Sequence, residues 1–446
     1  MKNDTHDVKD QILSQFGKYV SLNVLGMIGL SCYILSDTFF VAKGLGANGL
    51  AALNLAIPIY NFISGIGLML GMGGATRYSI QRGSRDQIEG NKIFSQVTTF
   101  VLVISTIFAF IGILFANPIS ILLGADVSIV KMTSTYIRII LIFSPMFMMN
   151  NVLLCFIRND GNPKIAMNAM VVGSFSNIAM DYIFVILFKM GLLGAALSTG
   201  VAPIISMLIL SSHFILKNNN FKFVKLKLEI RCIKDICAIG VSSLISEFSS
   251  GIVMIIYNII ILKLQGNVGV AAYGVVANLS LVFISLFTGV SQGVQPIISN
   301  NYGRENNRNV KKAFQYAIIT SAVMAIGIYI LTYYYAELIA VIFNEEQNEI
   351  LEDIVVGGLR LYFTALIFAG FNIVTAIYFS STDHPFEAFV LSIFRGFVII
   401  IPMAFIMANL LGMTGVWLAF PFTEGITALI AVAFIRKAHT MKKLQH

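Results

Sequence analysis

Asn177 and Asp181 stand four residues apart inside a stretch that is apolar from about Ile165 to Leu187. On a helix that spacing puts an amide and a carboxylate on one face. A carboxylate at the centre of a membrane-spanning helix costs roughly 2.5–3.5 kcal/mol on insertion scales. Ionisable groups at that depth mark ion or substrate sites; the alternative is an interhelical hydrogen bond that only holds a bundle together. Asp37, Tyr136 and Thr199 lie in three further apolar stretches. Carboxylate, amide and hydroxyl oxygens suit a hard cation such as sodium, whose charge would offset the carboxylates. Two close carboxylates in a low dielectric do not both ionise readily, so the same pair can instead hold a proton.

Such groups need membrane helices to carry them, and the composition supplies these. Of 446 residues 57% are hydrophobic and only 12% charged, with a mean hydropathy of +0.83, against about a quarter charged in soluble domains. This is a polytopic membrane protein. Periodicity and turn signals predict twelve spans: 17–42, 50–76, 92–116, 131–157, 164–189, 192–216, 236–263, 270–297, 311–335, 353–380, 386–408 and 412–435. The first eighteen residues are polar and charged, without the apolar core of a signal peptide, so the amino terminus is expected in the cytoplasm. In that orientation the cytoplasmic segments collect twenty-three of thirty Lys and Arg residues, and the outer loops only Lys43, Lys131, Lys189 and Lys263. Arg138, Arg360 and Arg395 fall within spans, and acidic residues cluster outside, between Glu345 and Asp353. The net charge of +8 is thus a topology signal, and no nucleic-acid partner is expected.

The chain repeats itself. Gly49-Leu-Ala-Ala-Leu53 returns in the second half as Gly269-Val-Ala-Ala-Tyr273, and Gly83, Lys92 and Phe94 match Gly303, Lys312 and Phe314 at the same offset. Pro163 and Gly191-Leu-Leu-Gly194 match Pro385 and Gly412-Met-Thr-Gly415 at nearly that offset. An even number of spans per half makes the repeats parallel, about an axis along the membrane normal. The expected fold is all-α, with twelve transmembrane helices in two pseudo-twofold-related six-helix bundles. An amino-terminal lobe (1–216), a cytoplasmic linker (217–235) and a carboxy-terminal lobe (236–446) follow, built to rock against one another.

With topology fixed, depth can be counted along each helix. Asp37 falls about 9 Å, Asp181 about 12 Å, Tyr136 about 8 Å and Thr199 about 10 Å below the outer ends of helices 1, 5, 4 and 6. These groups, with Asn177, share one outer level and are expected to form one site.

Four stretches now carry a resemblance: Asp37-Thr-Phe-Phe-Val-Ala-Lys-Gly-Leu-Gly46, Phe156-Ile-Arg-Asn-Asp-Gly-Asn-Pro-Lys164, Gly194-Ala-Ala-Leu-Ser-Thr199 and Gln292-Gly-Val-Gln-Pro-Ile-Ile-Ser-Asn-Asn-Tyr-Gly303. They resemble the multidrug and toxic compound extrusion (MATE) transporters, over essentially the whole chain. The resemblance implies a twelve-helix cation antiporter that expels amphipathic, often cationic drugs. It also places Asp37, Tyr136, Asn177, Asp181 and Thr199 on the family's amino-lobe ion site, with sodium at Asp37, Asn177, Asp181 and Thr199 if that is the ion. Two departures stand out. Helix 1 lacks the early proline of some archaeal members; Gly26 and Gly29 only partly substitute. Glu247 matches a carboxy-lobe ion residue, but Phe368-Ala-Gly-Phe-Asn372 lacks the accompanying Asp.

Glu247 lies near the bilayer midplane by the same count, as a binding group for a cationic drug, a second proton site, or half of a buried Glu–Arg pair. The last reading is favoured for Glu424, with Arg395 as counter-charge. Met148, Asn151 and Phe147 on helix 4 suit a broad, adaptable drug cavity. Gly44-x-Gly46-x-x-Gly49 fits a dinucleotide fingerprint but joins two spans with no strand before it. No Walker A sequence, metal-ligand spacing or nucleophile–base pair occurs, so neither direct ATP drive nor an enzyme is expected; the resemblance implies a secondary transporter of the plasma (inner) membrane, expected to be a monomer. No cofactor beyond sodium or a proton as coupling ion is expected, and both termini should be cytoplasmic. The alternative is a flippase for a lipid-linked precursor, which would want basic side chains along the central cavity. A membrane scaffold or receptor leaves the acidic groups unexplained.

Overall fold

Three glycines turn the chain where spans meet without a loop. Gly46 takes φ 63°, ψ −156°, and Gly266, its counterpart in the second half, takes φ 62°, ψ −154°. Gly412 turns similarly, at φ 60°, ψ −135°. Only glycine enters this backbone region without steric cost. The computed structural model describes residues 3–343 and 348–444, and every regular element among the described residues is helical. Of the acidic stretch expected on the outer side, Glu345 and Glu346 lie outside them.

Helices 1 and 2 run Gln11–Gly46 and Asn48–Gly83, helix 3 Gln87–Leu122. Helix 4 comprises Val130–Ile142 and Ser144–Asn159, bent by 48°. Pro145 in the first turn of the second piece removes a backbone donor, which accounts for the bend. Helix 5 spans Pro163–Leu187, ending in the π-helical turn Tyr182–Leu187, and helix 6 spans Leu192–Ile215. The second half repeats the pattern with helix 7 (230–265), helix 8 (267–303), helix 9 (Asn307–Tyr334), helix 10 (Glu349–Ser381), helix 11 (385–411) and helix 12 (413–444). Helix 10 passes through a 3-10 turn at Phe363–Ala365, the position that corresponds to the bend of helix 4. Asp86 and Asn306, which correspond in the same way, each cap the next helix by accepting from the backbone N–H three residues on. The internal repeat is therefore written in the backbone as well as in the sequence.

Buried apolar side chains gather into one large cluster drawn chiefly from helices 1–6 and another from helices 7–12. The two halves meet along a tight seam on the face that carries the linker. A Cβ on Gly240 would lie 1.9 Å from the Met69 carbonyl oxygen, and one on Gly73 2.0 Å from that of Ile236. Helices 2 and 7 thus touch backbone to backbone. Polar bridges cross the same seam. Asn23 Nδ2 donates to the Gly289 carbonyl (2.9 Å), Asn159 Nδ2 to Gln295 Oε1 (2.9 Å) and Gln295 Nε2 to Thr76 Oγ1 (2.9 Å). Arg77 pairs with Asp383 at 3.2 Å.

The linker is not slack. Its backbone N–H groups at Lys222 and Val224 donate to Asn91 Oδ1 and Ser95 Oγ of helix 3 (2.8 Å each), and Gln96 bonds both Lys227 O and Glu229 N. Phe221 is fully buried against Phe94, Phe156 and Tyr78. Beside it Asp160 accepts from Tyr78 Oη (2.5 Å) and from the Asn220 backbone N–H (2.8 Å), and His213 Nε2 lies 2.9 Å away. Helix 7 begins at Ile230 rather than 236, so Arg231 and Lys234 join its first turns. The strap leaves the first half only at the Glu229–Ile230 junction.

Candidate ion and substrate site

Asp37 and Asp181 are both buried and lie within Coulombic reach of one another. Helix 1 continues to Gly46, which sets Asp37 about 14 Å from its end rather than about 9 Å. Ser198 Oγ donates to Asp181 Oδ1. The Asn177 amide satisfies its neighbours when Nδ2 donates to Asp181 Oδ2 (3.1 Å) and Oδ1 accepts from the Thr199 backbone N–H (3.2 Å). Asn177 therefore donates to Asp181, while its amide oxygen is taken by the Thr199 backbone. Tyr136, on the first piece of bent helix 4, is buried and lies beside Thr199, within Coulombic reach of Asp37. All five residues singled out by depth come together.

Their oxygens are not equally engaged. Both oxygens of Asp181 have donors, whereas Asp37 Oδ1 is buried with no hydrogen-bond partner. A buried acceptor without a donor is costly, and a proton or a cation would relieve it. Three further residues belong here. Tyr33 and Tyr60 bond each other at 2.8 Å and both lie within Coulombic reach of Asp37, and Ser198 holds Asp181. Tyr33 stands one turn before Asp37 on the same helix face, and Ser198 has the depth of Thr199; both signals are present in the sequence.

One cavity adjoins this cluster, and a second shares part of its wall. The first, about 180 Å³, is lined by Asn177 and Thr199 of the ion group, by Tyr33 and Tyr60, and by Phe147 and Asn151. The second, about 300 Å³, lies among helices 7, 8, 10, 11 and 12 and includes Arg395 and Glu424. Met27, Leu30 and Ile34 of helix 1 line both, as does Glu247. Phe147 meets the Tyr60 ring edge-on at 5.3 Å, and Asn151 Nδ2 donates to the Ser64 carbonyl at 3.1 Å. Met148 lines neither cavity. It is fully buried where helix 4 packs on helix 2 at Gly67, which corrects its expected place in the cavity wall.

Glu247 and Glu424 part company. Glu424 Oε1 is held by Arg395 Nη2 (2.8 Å) and Nε (3.1 Å), and its Oε2 by Asn372 Nδ2 (2.7 Å). Asn372, on helix 10, thus clamps a glutamate. Glu247 has no ion-pair partner among the described residues, so the Glu–Arg reading fails for it. Of the intramembrane arginines weighed for a flippase, Arg360 pairs with Glu337 at 2.5 Å and Arg138 is exposed. Of these three, only Arg395 lines a cavity, and it is already paired.

A family model described as MatE matches residues 23–183 and 242–406. The multidrug export protein MepA of Staphylococcus aureus is 24% identical over 415 residues, covering 92% of this chain and 91% of its own. Its counterpart from Staphylococcus haemolyticus is 25% identical over 415 residues, covering 92% and 90%. Among solved structures, a MATE in complex with MaL6 superposes with a TM-score of 0.90 at 23% identity over 96% of each chain. An outward-facing multidrug resistance MATE family transporter gives 0.87 at 24% identity, again over 96% of each. At this identity the solved structures share the fold.

Proposed function

The chain belongs to the MatE family, and from that premise we propose that it exports amphipathic organic cations in exchange for sodium ions or protons bound at Asp37 and Asp181. It is a multidrug efflux transporter, a secondary transporter and not an enzyme. The observation that carries the coupling is the orphaned carboxylate oxygen of Asp37 on helix 1. That one helix also supplies Met27, Leu30 and Ile34 to both cavities and Asn23 to the seam. An ion captured at Asp37 alters the charge and packing of helix 1, and so biases which face of the molecule is closed.

The bias of Lys and Arg supports a cytoplasmic linker face. The seam then closes the cytoplasmic side, in a state ready to exchange drug for ion with the outside. Residues 1–216, with the linker strapped to them, and residues 236–446 act as the two lobes that rock. Glu247, where the two cavities join, is the counter-charge for a cationic drug.

Purified protein in liposomes tests this reading. A fluorescent organic cation should accumulate against its gradient when a sodium or a proton gradient is imposed, each tried separately. A membrane potential of 100 mV supplies about 2.3 kcal/mol per charge moved, enough for roughly a fiftyfold ratio at one charge per cycle. Accumulation with neither ion gradient, or none with both, would contradict it.

A further inference from the structure

Residues 222–230 of the strap read Lys-Phe-Val-Lys-Leu-Lys-Leu-Glu-Ile, and every one of them is exposed. The segment before Ile230 is not helical, and Glu229 at its end is extended, at φ −102°, ψ 104°. N–H groups two residues apart, at Lys222 and Val224, both reach helix 3, as they do in an extended chain. Alternate side chains of such a chain lie on opposite faces. Val224, Leu226 and Leu228 therefore share one face, and Lys225 and Lys227 the other. Single exposed apolar residues are ordinary. Here five of nine consecutive residues outside every span are large, apolar and between 39% and 74% exposed, and cations are interleaved with them. None of Lys222, Lys225, Lys227 and Arg231 has an ion-pair partner among the described residues. The height of the strap says what covers it. Its partners on helix 3 are Asn91, Ser95 and Gln96, and Lys92 is the last charged residue of that helix. From Asn91 to Gln96 the helix rises about 7.5 Å, so the strap passes the last charge and reaches the level where helix 3 turns apolar. Beyond it Leu102, Val103, Ile107 and Phe110 face outward, as lipid-facing residues do. The strap thus lies where a bilayer carries its headgroups.

We propose that residues 222–231 form a docking surface for anionic lipid headgroups of the leaflet on the linker face. Val224, Leu226 and Leu228 enter the interface, and Lys222, Lys225, Lys227 and Arg231 reach the lipid phosphates along their own apolar stems. The bonds to Asn91, Ser95 and Gln96 hold the segment in place beforehand, so lipid binding does not have to order a free tether. Each basic residue near an anionic leaflet is worth about a fivefold preference over a neutral one. The proposal does not depend on what the cavities carry.

Tryptophan quenching in nanodiscs tests it, because the chain has one tryptophan, Trp417, buried in the second half. The full chain carrying Leu226→Trp is placed in discs of phosphatidylcholine that bears a nitroxide on its headgroup, with and without phosphatidylglycerol. The same chain without the substitution supplies the background. Both leaflets of a disc have one composition, so the result does not depend on the orientation of the chain. Quenching of the new tryptophan should rise about twofold or more with the anionic lipid and fall back in salt of about 0.5 M, where charges are screened within a few ångströms. Replacing Lys222, Lys225 and Lys227 together by Gln should remove the rise. Chymotrypsin cleavage of that triple variant in discs without anionic lipid, at the unaltered rate, reports that the strap is still tied to helix 3. Leu228→Trp, on the same face, repeats the measurement should Leu226→Trp disturb the fold. Equal quenching with and without phosphatidylglycerol, or a rise that survives the triple replacement, would overturn the lipid site. Quenching in neither disc would overturn it too, by turning the apolar face to water and to a soluble partner.

Discussion

Asp37, toward the outer end of helix 1, and Glu247, midway along helix 7, are acids with different expected roles. Asp37 sits in a ring of phenols and hydroxyls beside a second carboxylate, an arrangement for a small ion. Glu247 opens on two apolar cavities, an arrangement for the charged end of a larger molecule. Glu247→Gln should therefore weaken binding of organic cations to the purified protein about tenfold, while the dependence of residual transport on the coupling ion stays as it was. A variant with unchanged drug affinity would remove Glu247 from the substrate site. Much at this scale is legible in the sequence. Counting the helical rise brings Asp37, Tyr136, Asn177, Asp181 and Thr199 to one level, because rigid helices carry depth faithfully. Rotation about the helix axis is not carried so well. It is why Met148, adjacent to Phe147, faces the packed interior; which end of its amide Asn177 turns to Asp181 is set by its side-chain torsion.

At the scale of elements, the linker and the seam decide what can move. Burial pushes the Asp160 carboxyl up, but hydrogen bonds from His213, Tyr78 and Asn220 outweigh it and hold the group below the usual carboxylate range. Its folded value lies below its unfolded one, so the stability it contributes is present above the ordinary value of about 4 and is lost as pH falls through the lower folded value. Asp160→Asn should release the strap at neutral pH, at a cost of about 1–3 kcal/mol. Faster proteolysis within residues 217–229 is the readout, and cleavage at the unaltered rate would show that the strap does not depend on this acid. The seam makes a second prediction. In Gly240→Ala the new methyl meets the Met69 backbone, which has no rotamer to yield, so helices 2 and 7 must part at about 1–3 kcal/mol. With the other three cysteines replaced, half-buried Cys237 should then react faster with a maleimide added from the linker face. An unchanged rate would mean that the seam is looser than its glycines imply. Neither feature is readable from the sequence. Gly73 and Gly240 look like any membrane glycines until two backbones are seen to touch, and the linker's charge suggests a free tether where side chains of helix 3 tie it down.

For the molecule as a whole, the repeat is the most informative sequence feature. Matches at a nearly constant offset predict two copies of one six-helix unit, and the paired conformations of Gly46 and Gly266 carry that symmetry into the backbone. The copies have diverged in their chemistry. The first holds two acids among hydroxyl and phenol groups, whereas the second has closed its Glu424 upon Arg395 and Asn372. The proposed ion coupling therefore rests on the first half, and the two cavities proposed to take drug share helix 1 and Glu247. The most direct test compares the unaltered protein with Asp37→Asn in liposomes, following a fluorescent cation under an imposed sodium or proton gradient. The unaltered protein should concentrate the dye, and Asp37→Asn should bind it with the same affinity yet fail to concentrate it. Gradient-driven accumulation at the full rate in Asp37→Asn would contradict the account at its centre.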